Sequence, residues 1–193
     1  MGDHSEALTR IFDGRSRNQW SDKPVPIELV RKLYDFVKLG PTSLNSLPAR
    51  FRFLLSKQAR ERLAPHVAEG NRPKVLSAPC VAIIAYDEAF YEQLPKLLPI
   101  KEGVKDIFVG KDALIYATAL RNSSLQGAYL MVAARLLGLD CGPMSGFDHV
   151  GVDKEFFAGT ALKSNFICAL GYASDEPFPR LPRLTFEEAA EVL

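Results

Sequence analysis

Residues 121–147 read RNSSLQGAYLMVAARLLGLDCGPMSGF, and the rest of the chain is organised around them. From Leu125 to Leu139 the segment is apolar on nearly every side, the exceptions being Gln126, Arg135 and Gly138. A helix without a wet face is one surrounded by protein. Gly127, Ala128, Ala133 and Ala134 carry short side chains that let neighbouring helices approach closely. Gly138 and Gly142 are stop signals, and Pro143 forces the chain out of the helix into an extended turn at Met144-Ser145-Gly146. A buried helix running into a small-residue loop suits a flat ligand.

Working outward, the helical pattern begins at Lys111 and runs to Leu137. On the C-terminal side, Val152 to Phe157 predicts a short helix capped near Asp153, and Phe166 to Tyr172 (FICALGY) a buried strand. The tail PFPRLPRLTFEEAAEVL sets Arg180 and Arg183 among prolines before a last helix capped by Thr185, with Glu188 completing a capping box. On the N-terminal side, Cys80 to Tyr86 (CVAIIAY), bounded by Pro79 and Asp87, is the best buried strand and should be central in a sheet. Alternating Phe51, Phe53 and Leu55 predict a strand with one buried face. Pro26 opens a helix whose apolar face is Leu29, Val30, Leu33, Phe36 and Val37, and Gly40-Pro41 ends it. Glu6 to Phe12 predicts a first helix capped by Ser5. Gln58 to Val67 can be helical, Asn71 to Leu76 a further turn, and Ala89 to Leu98 a weak helix before a lid or connection ending at Gly110. The polar segment GRSRNQWSDKPV, with few apolar residues, is expected on a surface or over a ligand.

With 193 residues the chain suits one domain, 1–193, burying about 70% of its unfolded surface. A net charge of +1 gives no field that gathers nucleic acid or acidic membrane. Small molecules or another copy of the chain are the expected partners. Cys80, Cys141 and Cys168 sit in apolar or Gly-rich surroundings without CxxC spacing, which reads as core rather than metal site. No apolar run reaches the length of a membrane span and no signal peptide is legible, so the expected location is cytoplasmic.

Four polar groupings stand out. Arg15-Ser16-Arg17-Asn18 sets two guanidiniums around a hydroxyl, a donor set for phosphate or simply an exposed basic loop. Pro41-Thr42-Ser43-Leu44-Asn45 can hydrogen-bond the edge of a heterocycle or satisfy its own turns. Asn71 and Lys74, three apart, share one side of a helical turn, where a lysine can stand beside an acceptor that becomes anionic. Arg180 and Arg183 flank a rigid Leu-Pro step. There is no Walker A loop, GxGxxG or GxSxG, and His4, His66 and His149 are scattered, so no catalytic side chain is assigned; if the protein is an enzyme, the hard chemistry belongs to a bound cofactor.

Taken together and in order, these segments resemble the flavin-dependent nitroreductase family over nearly the whole chain. RSRNQW stands where that family has its N-terminal R-x-S-x-R-x-aromatic motif. GPTSLNSLPARF resembles P-[ST]-S-x-N-x-Q-P, Asn71-x-x-Lys74 resembles N-x-x-K, and LGLDCGPMSGF resembles LGLG-x-x-[PW]-x-x-G-[FY]. NSLPAR, RNSSLQ, GPMSGFD, FFAGTALKSN and RLPRLTFEEA are similar to the branch containing malonic semialdehyde reductase of pyrimidine degradation. The resemblance implies an α+β, nitroreductase-like fold with a mixed or antiparallel sheet flanked by helices, and a homodimer with FMN at the interface. It implies Arg15, Ser16, Arg17 and Asn18 near the phosphate and flavin, joined by Arg180 and Arg183. Pro41, Thr42, Ser43 and Asn45 would line the ring, in part from the second subunit. Asn71 and Lys74 would meet its polar edge, and Pro143, Met144, Ser145 and Gly146 would cover the other face or present backbone N–H groups near N5. NADH or NADPH would be the reductant, and the acceptor a small aldehyde such as malonic semialdehyde, reduced to 3-hydroxypropanoate, or a nitroaromatic or quinone. The chain departs from the family pattern at Gly14, Asn18 and Leu47. A non-catalytic FMN-binding or sensing dimer is the alternative, and a structural dimer without flavin a third.

Overall fold

The computed structural model describes residues 4–193. Four strands, Ala49–Leu54 (β1), Cys80–Asp87 (β2), Asp140–Met144 (β3) and Leu162–Gly171 (β4), form one antiparallel sheet in the order β1-β2-β4-β3. As expected, CVAIIAY is central: Cys80 to Ala85 are buried throughout. Successive side chains of a strand point to opposite faces. Val81, Ile83, Ile167 and Ala169 therefore enter one core with Leu63, Val75 and Val152. Cys80, Ala82, Ile84, Cys168 and Leu170 enter the other, with Val30, Leu33, Val37, Leu130 and Ala134.

Helices Lys57–Leu63 (α3), Arg72–Ser77 (α4) and His149–Phe156 (α7) cover the first face; Ile27–Val37 (α2) and Asp112–Leu136 (α6) cover the second. The remaining helices are His4–Phe12 (α1), Leu94–Leu97 (α5) and Phe186–Ala189 (α8). α1 starts before the expected cap, Ser5, whose side chain lies outside the described residues. The capping box of Thr185 and Glu188 is present.

α6 runs unbroken for 25 residues, about 37 Å. It is not enclosed by the rest of its own chain among the described residues. Leu125 (42%), Val132 (38%) and Leu136 (45%) stay exposed, beside Phe36 and Leu39 at the end of α2. A cleft of about 350 Å³ opens there between α2 and α6, lined by Phe36, Gly40, Tyr129, Val132, Leu136 and Leu137. Gly127 serves the sheet rather than a second helix, since a Cβ there would lie 2.4 Å from the ring of Phe166 on β4.

Several local expectations need correction. Asp140–Met144, read as a helix stop and small-residue turn, is an edge strand paired with Ile167 to Gly171. Pro143 is tolerated because an edge residue can lack a ladder donor. Asp148, not Asp153, caps α7 by accepting the Val150 N–H at 3.0 Å; Asp153 instead accepts the Ser164 N–H at 2.7 Å, beyond the reach of β3. The segment after α1, expected on a surface or over a ligand for want of apolar residues to pack, is anchored on the body by two of them: Trp20 and Val25 are buried, and Trp20 bridges to Ala173. Residues 88–110 carry a small core of their own, in which Phe90, Leu94, Val104 and Phe108 meet Ile115 and Ala119 of α6.

Candidate flavin site

Residues 15–18 are laid along the outer edge of β3. Ser16 forms a parallel bridge to Cys141, and the Arg17 N–H donates to the Cys141 carbonyl at 3.0 Å. Gly142 permits this approach, because a Cβ there would stand 2.6 Å from the Arg17 carbonyl oxygen. Arg15 gives its terminal nitrogen to the Asp13 carbonyl, while its buried Nε has no partner. A buried charged donor without an acceptor is costly unless a ligand completes it. A phosphate oxygen is the acceptor that fits a guanidinium edge.

The second part of this half-site follows β3. The Gly146 carbonyl accepts from the Ala68 N–H at 2.9 Å and from Asn71 Nδ2 at 3.2 Å. Val67 bridges to Phe147, and the Asp148 N–H donates to the His66 carbonyl at 2.7 Å. Asn71 is the N-cap of α4 and Lys74 lies in its first turn, both half-buried. Asn71 is thus delivered to the loop after β3, with Lys74 three residues on in the same turn. Pro143, Ser145 and Gly146 are exposed there, but Met144 is not: its side chain is buried in the core beneath β3, so it offers backbone rather than a covering side chain.

Pro41, Thr42, Ser43 and Asn45 lie elsewhere, in the loop entering β1, and β1 and β3 are the opposite edges of the sheet. This loop is strained and braced. Leu44, Asn45 and Leu47 all have positive φ (55°, 51° and 41°), a conformation that non-glycine residues adopt at a cost and that concentrates at functional sites. The Ser43 N–H donates to Asn122 Oδ1 at 2.8 Å, Asn45 Nδ2 to the Leu97 carbonyl at 2.7 Å, and Tyr129 Oη to the Pro41 carbonyl at 2.9 Å. Leu47, where the family pattern has glutamine, donates its N–H to Thr42 Oγ1 at 3.2 Å. Ser46, which no sequence signal singles out, is buried with its hydroxyl unpartnered.

Arg180 turns back to the Phe12 carbonyl and lies 3.6 Å from Asp13, while Arg183 bonds only carbonyls of its own turn, at Leu181 and Pro182. Arg17 is engaged with protein partners, Asp140 at 3.6 Å and Asp175 at 3.9 Å. Asn18 donates its backbone N–H to Asp175 Oδ2 at 3.3 Å. Gly14 has a packing reason, for a Cβ there would meet the Arg135 side chain at 2.9 Å. The three cysteines are free and buried, with burial pushing Cys80 up to about 12 and the Cys141 thiol together with burial raising Cys168, so neither Cys80 nor Cys168 is a poised nucleophile.

The sheet thus lies between two helical layers, with unpartnered arginine Nε donors at one edge and a strained polar loop at the other. The Nitroreductase family profile matches residues 15–172, and the chain belongs to that family of oxidoreductases. Membership carries FMN as cofactor and NADH or NADPH as reductant. The chain is 54% identical over 189 residues to a Caulobacter sp. (strain K31) protein named "Putative NADH dehydrogenase/NAD(P)H nitroreductase", covering 97% of this chain and 96% of that one. It is 52% identical over 192 residues to a protein of the same description from Cupriavidus pinatubonensis, covering 97% and 98%. A crystal structure from Exiguobacterium sibiricum, solved in complex with FMN, superposes with a TM-score of 0.88 at 21% identity, covering 100% of this chain and 98% of that one. Among the described residues no helix is long and apolar enough to cross a membrane.

Proposed function

We propose that this chain is one protomer of a homodimeric FMN-dependent NAD(P)H oxidoreductase whose active sites form between subunits. The observation that carries the reading is the division of the site. The segment that carries Arg15 runs along β3, and Asn71, which opens the helix bearing Lys74, bonds the loop after β3, while the strained loop of Pro41, Thr42, Ser43 and Asn45 stands at the opposite sheet edge. A second copy packed on the exposed face of α6 would bring its 41–45 loop to the first half-site, burying Leu125, Val132 and Leu136. FMN, when bound, supplies a centre that accepts and returns hydride, so NADH or NADPH and the acceptor use one site in turn. Arg15 and Ser16 would hold the phosphate, with Arg180 or Arg183 of the tail closing on it. Lys74 would place positive charge beside the polar edge of the ring, and Asn71 would fix the loop that covers it.

For the acceptor, the GPMSGFD, FFAGTALKSN and RLPRLTFEEA segments favour a small aldehyde such as malonic semialdehyde, whereas the names of the closely similar relatives favour nitroaromatics. Both need the same reduced cofactor. The test is to incubate the protein with FMN, desalt it, and add NADH or NADPH anaerobically before supplying an aldehyde, a nitroaromatic or a quinone. A retained flavin band that bleaches and returns with one acceptor is the expected result. Retained flavin that neither nucleotide bleaches would make the chain a binding module, and a colourless protein would end the flavin reading.

A further inference from the structure

We infer that Arg17 is a positioning residue, an ionic latch between three chain segments, and not a ligand of the cofactor phosphate. The inference rests on the FMN reading for what is positioned, but the latch itself is a property of this chain. The Arg17 guanidinium donates from one terminal nitrogen to the Asp175 backbone carbonyl at 2.8 Å. Its Nε lies 3.6 Å from Asp140 Oδ1 and its Nη1 3.9 Å from Asp175 Oδ1. Only 17% of the Arg17 side chain and 11% of that of Asp175 are exposed. Both carboxylates also hold the backbone: Asp140 Oδ2 accepts the Ala173 N–H at 3.0 Å, and Asp175 Oδ2 accepts the Asn18 N–H.

One cation thus ties residues 17 and 18, the start of β3 and the point where the chain leaves β4 for its tail. Two carboxylates surround the guanidinium, so a phosphate dianion approaching the same group would meet two like charges at short range. The Nε of each arginine lacks a hydrogen-bond partner, but no carboxylate lies at ion-pair distance from Arg15 among the described residues. The two arginines of RSR therefore have different roles. Arg15 keeps a donor open for the ligand, and Arg17 fixes both the segment that carries Arg15 and Ser16 and the exit of the tail that carries Arg180 and Arg183.

The two roles give opposite signs when a carboxylate is neutralised. If Arg17 is a latch, Asp175→Asn loosens the phosphate segment and weakens FMN binding, in the same direction as Arg17→Met. If Arg17 is a phosphate ligand, Asp175→Asn frees it and tightens FMN. The experiment measures FMN affinity and the urea midpoint of the apo protein for the natural chain, both single variants and the double variant. Each single variant is expected to raise the FMN Kd about tenfold. The double variant should then fall within about twofold of the weaker single, in affinity and in apo stability alike. Tighter or unchanged FMN binding by Asp175→Asn would overturn the positioning role, and additive midpoint shifts in the apo protein would overturn the latch. Failure of the natural chain to bind FMN would instead strike the cofactor reading, and with it the positioning role, while the apo cycle still decides the latch.

Discussion

The side-chain amide of Asn71 donates to the Gly146 carbonyl across 3.2 Å, tying the first turn of α4 to the loop that follows β3. The same carbonyl also takes the Ala68 N–H, so removing the amide loosens the loop without releasing it. Asn71→Leu, which keeps the bulk and loses the donor, is expected to weaken FMN binding by about 1 kcal/mol with little change in melting temperature. A flavin fluorescence titration measures it. Unaltered affinity would remove Asn71 from the site.

Arg15 has an unmet buried donor and, unlike Arg17, no carboxylate at ion-pair distance among the described residues, so its loss should be read through the phosphate. Arg15→Met is expected to cost about 1.5 to 3 kcal/mol in FMN binding, the range for hydrogen bonds to charged groups. Riboflavin, which lacks the phosphate, should bind the variant as it binds the natural chain. Comparing the two ligands checks the assignment, and an equal loss for both would refute it.

The parts of this molecule legible in its sequence are those whose cause is local. The Thr185–Glu188 capping box spans four residues, and the burial of Cys80 to Ala85 is written in a continuous apolar run. β3 is illegible there because its identity comes from pairing Cys141 with Leu170 and Met144 with Ile167, while Gly142 and Pro143 signal a turn on their own. Trp20 likewise looks solitary in a polar segment, yet it is buried beside the first core through contacts from distant residues. Of the site, the donor types and spacings can be read. The split between sheet edges cannot, nor can the capture of Arg17 by Asp140 and Asp175, residues more than a hundred positions away.

Gln126 interrupts the apolar run of α6 because β1 needs an acceptor where it begins, and its buried Oε1 takes the Ala49 N–H at 2.8 Å. Gln126→Leu would fill the same space and leave that N–H buried and unpaired. Such a loss costs about 1 to 3 kcal/mol. Denaturant unfolding is expected to give a lower midpoint by that amount, and because Ala49 follows the 41–47 loop, FMN affinity should fall as well. A variant as stable as the natural chain would show that Ala49 finds another acceptor.

Burial pushes the Cys80 thiol up to about 12, and burial with Glu88 nearby does the same for Tyr86. At pH 8 a thiol of that pKa is ionised to about one part in ten thousand, against about one in four for an unperturbed cysteine. Native protein should therefore leave Cys80 unmodified by a disulfide reagent that labels it after unfolding. The folded state holds both protons more tightly than the unfolded chain, so the native protein binds more protons between the two sets of pKa values. Stability is then full below about pH 9 and falls as pH rises towards 12. Urea midpoints that stay level from pH 8.5 to 11 would contradict this.

Dimerisation is the expectation on which the divided site depends. Val132 and Leu136 lie on α6 beside Phe36 and Tyr129, lining an apolar cleft that no other part of this chain fills among the described residues. A patch of this kind on a helix that is buried elsewhere is a surface for a partner. Val132→Glu sets a charge in the middle of it while leaving every residue of both half-sites in place. Sedimentation is expected to show a dimer for the natural chain and a monomer for the variant, with a far-UV spectrum unchanged. FMN affinity should fall by roughly tenfold or more in the monomer, because the 41–45 loop of a partner is then absent. A monomeric variant that still bound FMN at full strength would mean that one protomer holds the cofactor with its own residues, and the division of the site between opposite sheet edges would have lost its functional meaning.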